Sequence, residues 1–173
     1  MKITENLFWY PWQGRGNNCN SYLLNKGEKL ILIDPGHIYN ETQESCLEEL
    51  TDSLSSDGFK LEDIQMILCT HGHPDHCEAA GAIRERSGAT LAIHQSDEFF
   101  LQVMEQRSKE VSGKEMAPLN PDYYLNEGEG IAGLDDPEVI SVVHTPGHSP
   151  GSVCFYLPAE KVLISGDTVF QNS

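Results

Sequence analysis

The heptapeptide THGHPDH, residues 70–76, places three histidines and an aspartate directly after the apolar run MILC. Imidazole nitrogens and carboxylate oxygens are the donors that zinc and related divalent ions take. A backbone that stays extended beyond Cys69 would turn His71, His73 and Asp75 to one side, because side chains alternate along a strand. Pro74 has no backbone N–H and a fixed φ, so the extended run must end there. His76 then falls at the start of a helix and faces differently from His73. This spacing predicts two adjacent metal positions, one taking His71 and His73, the other Asp75 and His76. Solvated loop histidines beside a helix-capping Asp75 would explain one lone histidine; they explain a cluster of this density poorly.

Two later stretches can join the first. TPGHSPGS, residues 145–152, sets His148 between two Pro/Gly turns, which stiffen the loop and aim the imidazole. SGDTVF, residues 165–170, follows the apolar VLI and puts Asp167 behind a glycine at a strand end. A carboxylate there can offer one oxygen to each of two metals.

The surrounding pattern predicts the elements that must hold these groups. Strands are expected at 7–10, 21–24, 30–34 and 64–69, the third ending in the turn DPG. Leu47, Leu50 and Leu54 recur at helical spacing, which predicts a helix over 41–54 capped by Asn40 with Gln43 three residues on. A second helix is expected over 77–87, stopped by Gly88, with Ala79, Ala80 and Gly81 permitting close approach. A strand at 91–94, a helix from a Ser96 cap to about Val111 and a loop over 112–122 follow. Strands at 139–144, 153–157 and 162–165 complete the chain. Helices alternate with strands early and strands dominate late, which predicts an α/β layered sandwich of two sheets with helices outside.

HGHPDH, GHSPGS and SGDTVF, in this order, resemble the metallo-β-lactamase superfamily, and most closely its glyoxalase II-like (hydroxyacylglutathione hydrolase) branch. NCNSYLLNKGEKLILIDPG, residues 18–36, is similar to that family's opening strands, so the likeness covers nearly the whole chain. The resemblance implies a four-layer αββα sandwich with the site at one edge of two facing sheets. Carried over by position, it implies His71, His73 and His148 as ligands of one metal, Asp75 and His76 as ligands of a second, and Asp167 as the bridge between them. Asp34 would orient a ligand or water rather than bind metal, although a turn-forming Asp before Pro35 also explains it. Two divalent ions are implied, zinc foremost, with iron or manganese as alternatives. The branch with a cysteine ligand fits less well, because Asp167 holds the matching late position. His37, His94 and His144 are expected as structural or rim residues, and Cys77 as packing.

The family pattern continues past the GDTVF segment with further strands, a helix and a last histidine ligand. The expectation is therefore one domain over 1–173 that lacks those parts. It would be either a fragment or a chain completed by another, a second copy covering the incomplete sheet included.

Two bound divalent ions bring the pKa of water close to neutrality. The expected activity is hydrolysis by metal-bound hydroxide of an ester, thioester, lactone or amide, with Asp75 and Asp167 as the catalytic carboxylates and no Ser or Cys nucleophile. Two other readings stand beside it. His71, His148 and Asp167 could serve a mononuclear iron persulfide dioxygenase, which needs two histidines and a carboxylate; or the chain is a non-catalytic metal-binding module.

The resemblance implies a small-molecule substrate, and composition speaks against other partners. A net charge of −16, with 11 basic against 27 acidic residues, argues against nucleic acid. No apolar run approaches the ~20 residues that cross a bilayer, and the first residues lack the pattern of a signal peptide. Five irregularly spaced cysteines predict no disulfide framework and fit a reducing compartment, the cytoplasm.

Overall fold

A computed structural model of the chain describes residues 1–112, 116–131, 134 and 139–170. Strands β1 (Leu7–Tyr10), β2 (Ser21–Lys26) and β3 (Lys29–Ile33) form an antiparallel meander. Helix α1 (Cys46–Ser56) leads to β4 (Ile64–Leu68), which lies parallel to β3. Helices α2 (Pro74–Cys77) and α3 (Ala80–Ser87) lead to β5 (Thr90–Ile93), and α4 (Glu98–Ser112) to β6 (Tyr123–Tyr124), both strands again parallel to their predecessors. These six strands make one sheet in chain order; β7 (Ser141–His144), β8 (Val153–Leu157) and β9 (Val162–Ile164) make a second, antiparallel one.

The runs LILI in β3 and MIL in β4 are unbroken because this sheet is buried on both faces. Leu30, Leu32 and Ile67 point into a core shared with Leu50 and Leu54 of α1, Ile83 of α3 and Leu101 of α4. Ile31, Ile33, Met66 and Leu68 point the other way, against Val142, Val153, Phe155, Leu157 and Ile164 of the second sheet. Each such side chain, fully buried, contributes about 1.5–3 kcal/mol. Helix, sheet and sheet are thus three layers of the expected αββα arrangement. The far face of the second sheet exposes Tyr156 and Leu163 at 40% and 53%, and no described helix covers it. No described helix is long and apolar enough to cross a membrane.

Several local expectations are corrected. Asn40 does not cap a helix: its Oδ1 accepts from the N–H groups of Thr42 and Glu44, which folds 40–44 into a turn with Gln43 at φ 63°, and α1 starts only at Cys46. The helix expected over 77–87 starts earlier and is broken between Cys77 and Ala80, because its hydrogen bonds are diverted. The Ala79 N–H donates to Gly36 O at 2.9 Å, and Asp75 O accepts from Cys19 N–H at 3.2 Å. Ser96 donates its own N–H to His94 Nδ1 in a 3₁₀ turn and does not cap α4. The two-residue strand β6 is too short to leave a period in the sequence, and 113–115 of the loop expected there lie outside the described residues.

Candidate metal centre

β4 stops at Leu68, and residues 70–72 bend instead of continuing extended, so strand alternation is not what aims the histidines. The bend is held from beneath. Asp34, 1% exposed and at φ 53°, accepts from Thr70 N–H at 2.7 Å and from Thr70 Oγ1 at 2.8 Å. A non-glycine residue in that left-handed region costs energy and persists where its surroundings require it. Thr70 O in turn accepts the Val153 N–H at 2.8 Å, which ties the bend to the second sheet. Asp34 is therefore a buried anchor rather than a simple turn residue.

Three imidazoles converge above this anchor. His71 Nε2 lies 3.1 Å from His73 Nδ1, and His73 Nδ1 lies 2.9 Å from His148 Nε2, across 75 residues of chain. Zn–N bonds of ~2.0–2.1 Å in a tetrahedron put neighbouring nitrogens about 3.3 Å apart. The two observed separations fall just inside that value, so these nitrogens fit a small divalent ion. The donor chemistry agrees, since one proton at most can lie along each N···N line and the remaining lone pairs face each other.

A second group joins the first through shared members. The donor atoms of His71, His76 and Asp167 lie within 4.8 Å of one another. His76 Nδ1 is 3.0 Å from Asp34 Oδ2, and its Nε2 is 3.2 Å from Asp167 Oδ1. The other carboxylate oxygen of Asp167 is 3.4 Å from His148 Nε2, so this one residue reaches both groups. Asp75 stands at the rim: its Oδ2 is 3.9 Å from His76 Nε2 and accepts a 2.8 Å hydrogen bond from Asn17 Nδ2. A cavity of about 400 Å³ opens here, lined by Asn17, Asp75, His76, Asp167 and Phe170 among others.

Burial first, then the neighbouring His76, push His71 down to about 4, so its imidazole is neutral at physiological pH. Burial and the adjacent His148 lower His73 as well. Burial would also lower His76, but the charge of Asp34 and the hydrogen bond to Asp167 outweigh it and raise the group to about 10. Asp167 is correspondingly held low, chiefly by its hydrogen bond to His76.

The remaining histidines are engaged elsewhere. His37 Nδ1 pairs with Glu78 Oε2 at 2.7 Å; His94 and His144 stack 4.2 Å apart and bond to Ser96 N and Pro150 O. The Cys77 thiol, fully buried, donates to His73 O. Sequence reasoning missed Thr70 and Asn17. Thr70 could have been found, as a hydroxyl residue at the strand end just before a ligand motif. Asn17 carries no local signal, because its partner Asp75 lies 58 residues away.

The profile of the metallo-beta-lactamase superfamily matches residues 14–173. A "Probable metallo-hydrolase" of Methanocaldococcus jannaschii is 32% identical over 157 residues, 91% of this chain and 70% of that protein. Hydroxyacylglutathione hydrolase GloC of Haemophilus influenzae is 28% identical over 155 residues, 89% of this chain and 67% of that protein. The crystal structure of a metallo-beta-lactamase family protein from Thermus thermophilus superimposes with a TM-score of 0.78 at 23% identity, over 99% of this chain and 62% of its own. This chain therefore spans about two thirds of the length of these three proteins. With its fold, its converging histidines and these matches taken together, the chain belongs to the metallo-beta-lactamase superfamily.

Proposed function

We propose that the chain carries the binuclear metal site of a hydrolase acting on a small ester, thioester, lactone or amide, with zinc as the metal. The observation that carries this reading is Asp167, whose Oδ1 and Oδ2 point separately at His76 and His148, at 3.2 and 3.4 Å. His71, His73 and His148 would hold one ion; His76, Asp75 and Asp167 would hold the other, with Asp167 common to both. Two ions held there supply Lewis acidity and bring water to ionisation near neutral pH.

The chain's own groups prepare that site. Burial keeps His71 unprotonated and ready to ligate. Asp34 fixes the His76 ring through Nδ1, leaving Nε2 directed at Asp167. Asn17 occupies Asp75 Oδ2, which orients the carboxylate at the cavity where a substrate carbonyl and the attacking water would meet. No thiol nucleophile is offered by Cys77, whose Sγ is buried and given to His73 O. The iron dioxygenase reading needs only His71, His148 and Asp167; the nearness of His73 Nδ1 to both other imidazoles favours a three-histidine set instead. Membership of the superfamily supports a small-molecule substrate, and the net charge of −16 speaks against a nucleic-acid partner.

The test is metal content per chain, with element identity, alongside hydrolysis of a thioester and lactone panel. Two zinc ions and hydrolysis are expected, and His71→Ala or His148→Ala should lose metal and activity together. A single iron would move the assignment to the dioxygenase, and full metal content in both variants would refute the ligand set.

A further inference from the structure

Asp97 is fully buried at the end of the 3₁₀ turn after β5, and among the described residues its carboxylate is hydrogen-bonded by the two loops that carry His73 and His148. Its Oδ2 accepts the Gly72 N–H at 2.9 Å and the Ser149 Oγ hydroxyl at 2.6 Å; its Oδ1 accepts the Gly151 N–H at 2.6 Å. Gly72 immediately precedes His73 and Ser149 immediately follows His148. One oxygen atom therefore ties together two loops that are 77 residues apart (149 minus 72) in the chain.

The glycines beside it tell the same story independently. Neither Gly72 nor Gly151 has a positive φ, so backbone freedom does not explain them. Space does: a Cβ on Gly72 would stand 2.8 Å from Asp97 O, and one on Gly151 would stand 2.7 Å from Asp97 Cγ. Both loops are drawn in until they touch the same residue. All three partners are donors, so the group acts as a carboxylate, and a buried carboxylate without a cation is a costly way to join two loops. Apolar side chains would do that alone. A cation held by the adjacent histidines would offset the buried charge.

Resting on the metal reading above, we propose that Asp97 is a positioning residue that sets the separation of His73 and His148 for a divalent cation. Asp97→Asn keeps the shape, but its single oxygen can serve only one side, and its NH₂ must face an N–H or O–H on the other. The probe is Co(II), titrated into metal-free full chain against a competing chelator, with its visible absorption recorded. Asp97→Asn should weaken Co(II) binding about 10–100-fold, the range seen when partners behind metal ligands are removed, and should alter the absorption bands. Ser149→Ala, which removes one of the three bonds, should do the same to a smaller degree. Ile83→Ala, in the helix-side core, should lower the melting temperature and leave both Co(II) readouts unchanged.

If Asp97→Asn and Ser149→Ala bind Co(II) like the unaltered chain, with the same spectrum, Asp97 only staples the fold and the proposal is overturned. Should Asp97→Asn not fold, the Ser149→Ala spectrum decides by itself. A failure of the unaltered chain to bind Co(II) would instead remove the metal reading, and this inference with it.

Discussion

His71 and His76 sit in one cluster, with ring centroids 4.1 Å apart, yet they are pushed in opposite directions, to about 4 and about 10. Their contributions to the stability of the metal-free chain therefore have opposite signs. His76 binds its proton more tightly when folded. Its contribution is full below an unfolded value of about 6.5 and is lost as pH rises from there through about 10. His71 binds its proton less tightly when folded, so stability is lost as pH falls from about 6.5 towards 4. Melting of chelator-treated protein should be highest near pH 6–7 and fall on both sides, each limb being of order a few kcal/mol at about 1.4 kcal/mol per pKa unit. His76→Gln should flatten the alkaline limb and shrink the acid one only in part, because burial, the larger cause, still holds His71 down; an unaltered alkaline limb in that variant would show that the Asp34–His76–Asp167 arrangement is wrong. Metal uptake at the His76–Asp167 position must also displace that proton, so its affinity should climb about tenfold per pH unit below pH 10. Measuring proton release during titration checks this directly.

At the scale of elements, what could be read in advance was whatever repeats locally. The β8 segment VCFYL and the buried β4 run are bounded by turn residues, and both were evident from apolar pattern alone. Capping failed where a side chain found a nearer partner: Asn40 spent its oxygen on a turn, and His94 took the Ser96 N–H. The break between α2 and α3 was invisible because its cause, the loops around Cys19 and Gly36, lies far off in sequence. Asp97 is the same case at the site, an ordinary acidic residue near a helix start until Gly72 and Gly151 are brought to it. Gly81 offers a test of which influence dominates. Alanine is favoured over glycine by about 1 kcal/mol within a helix. Against this, a Cβ on Gly81 would press on the Ala117 carbonyl, and overpacking of that kind costs about 1–3 kcal/mol. Gly81→Ala should therefore lower the melting temperature with metal affinity unchanged. A rise would mean that the segment around Ala117 yields easily and that α3 is not held against it.

For the whole molecule, the decisive feature is that the candidate site belongs to neither sheet alone. His71, His73 and His76 follow β4 of the first sheet; His148 lies between β7 and β8, and Asp167 follows β9 of the second. The motifs were readable one by one, whereas their meeting depends on how two sheets pack, which no single stretch encodes. The two cores should therefore differ in what they do to the metal. Phe155, fully buried between the sheets, sets how β8 rests against β3 and β4; Ile83 packs on the opposite face, under the helices. Phe155→Leu should cost about 1–3 kcal/mol, and Ile83→Ala more, about 2–5 kcal/mol. Yet the milder substitution should weaken zinc binding at the three histidines, because it lets the His148 loop shift relative to His71 and His73, while the harsher one should leave zinc affinity within a factor of two. Chemical denaturation gives the stabilities and competition with a chelator gives the affinities. Zinc affinity that simply follows stability in both variants would mean that the site senses the folded fraction and nothing finer. Affinity lost only with Phe155→Leu would show that the register between the sheets is what holds the ligands together.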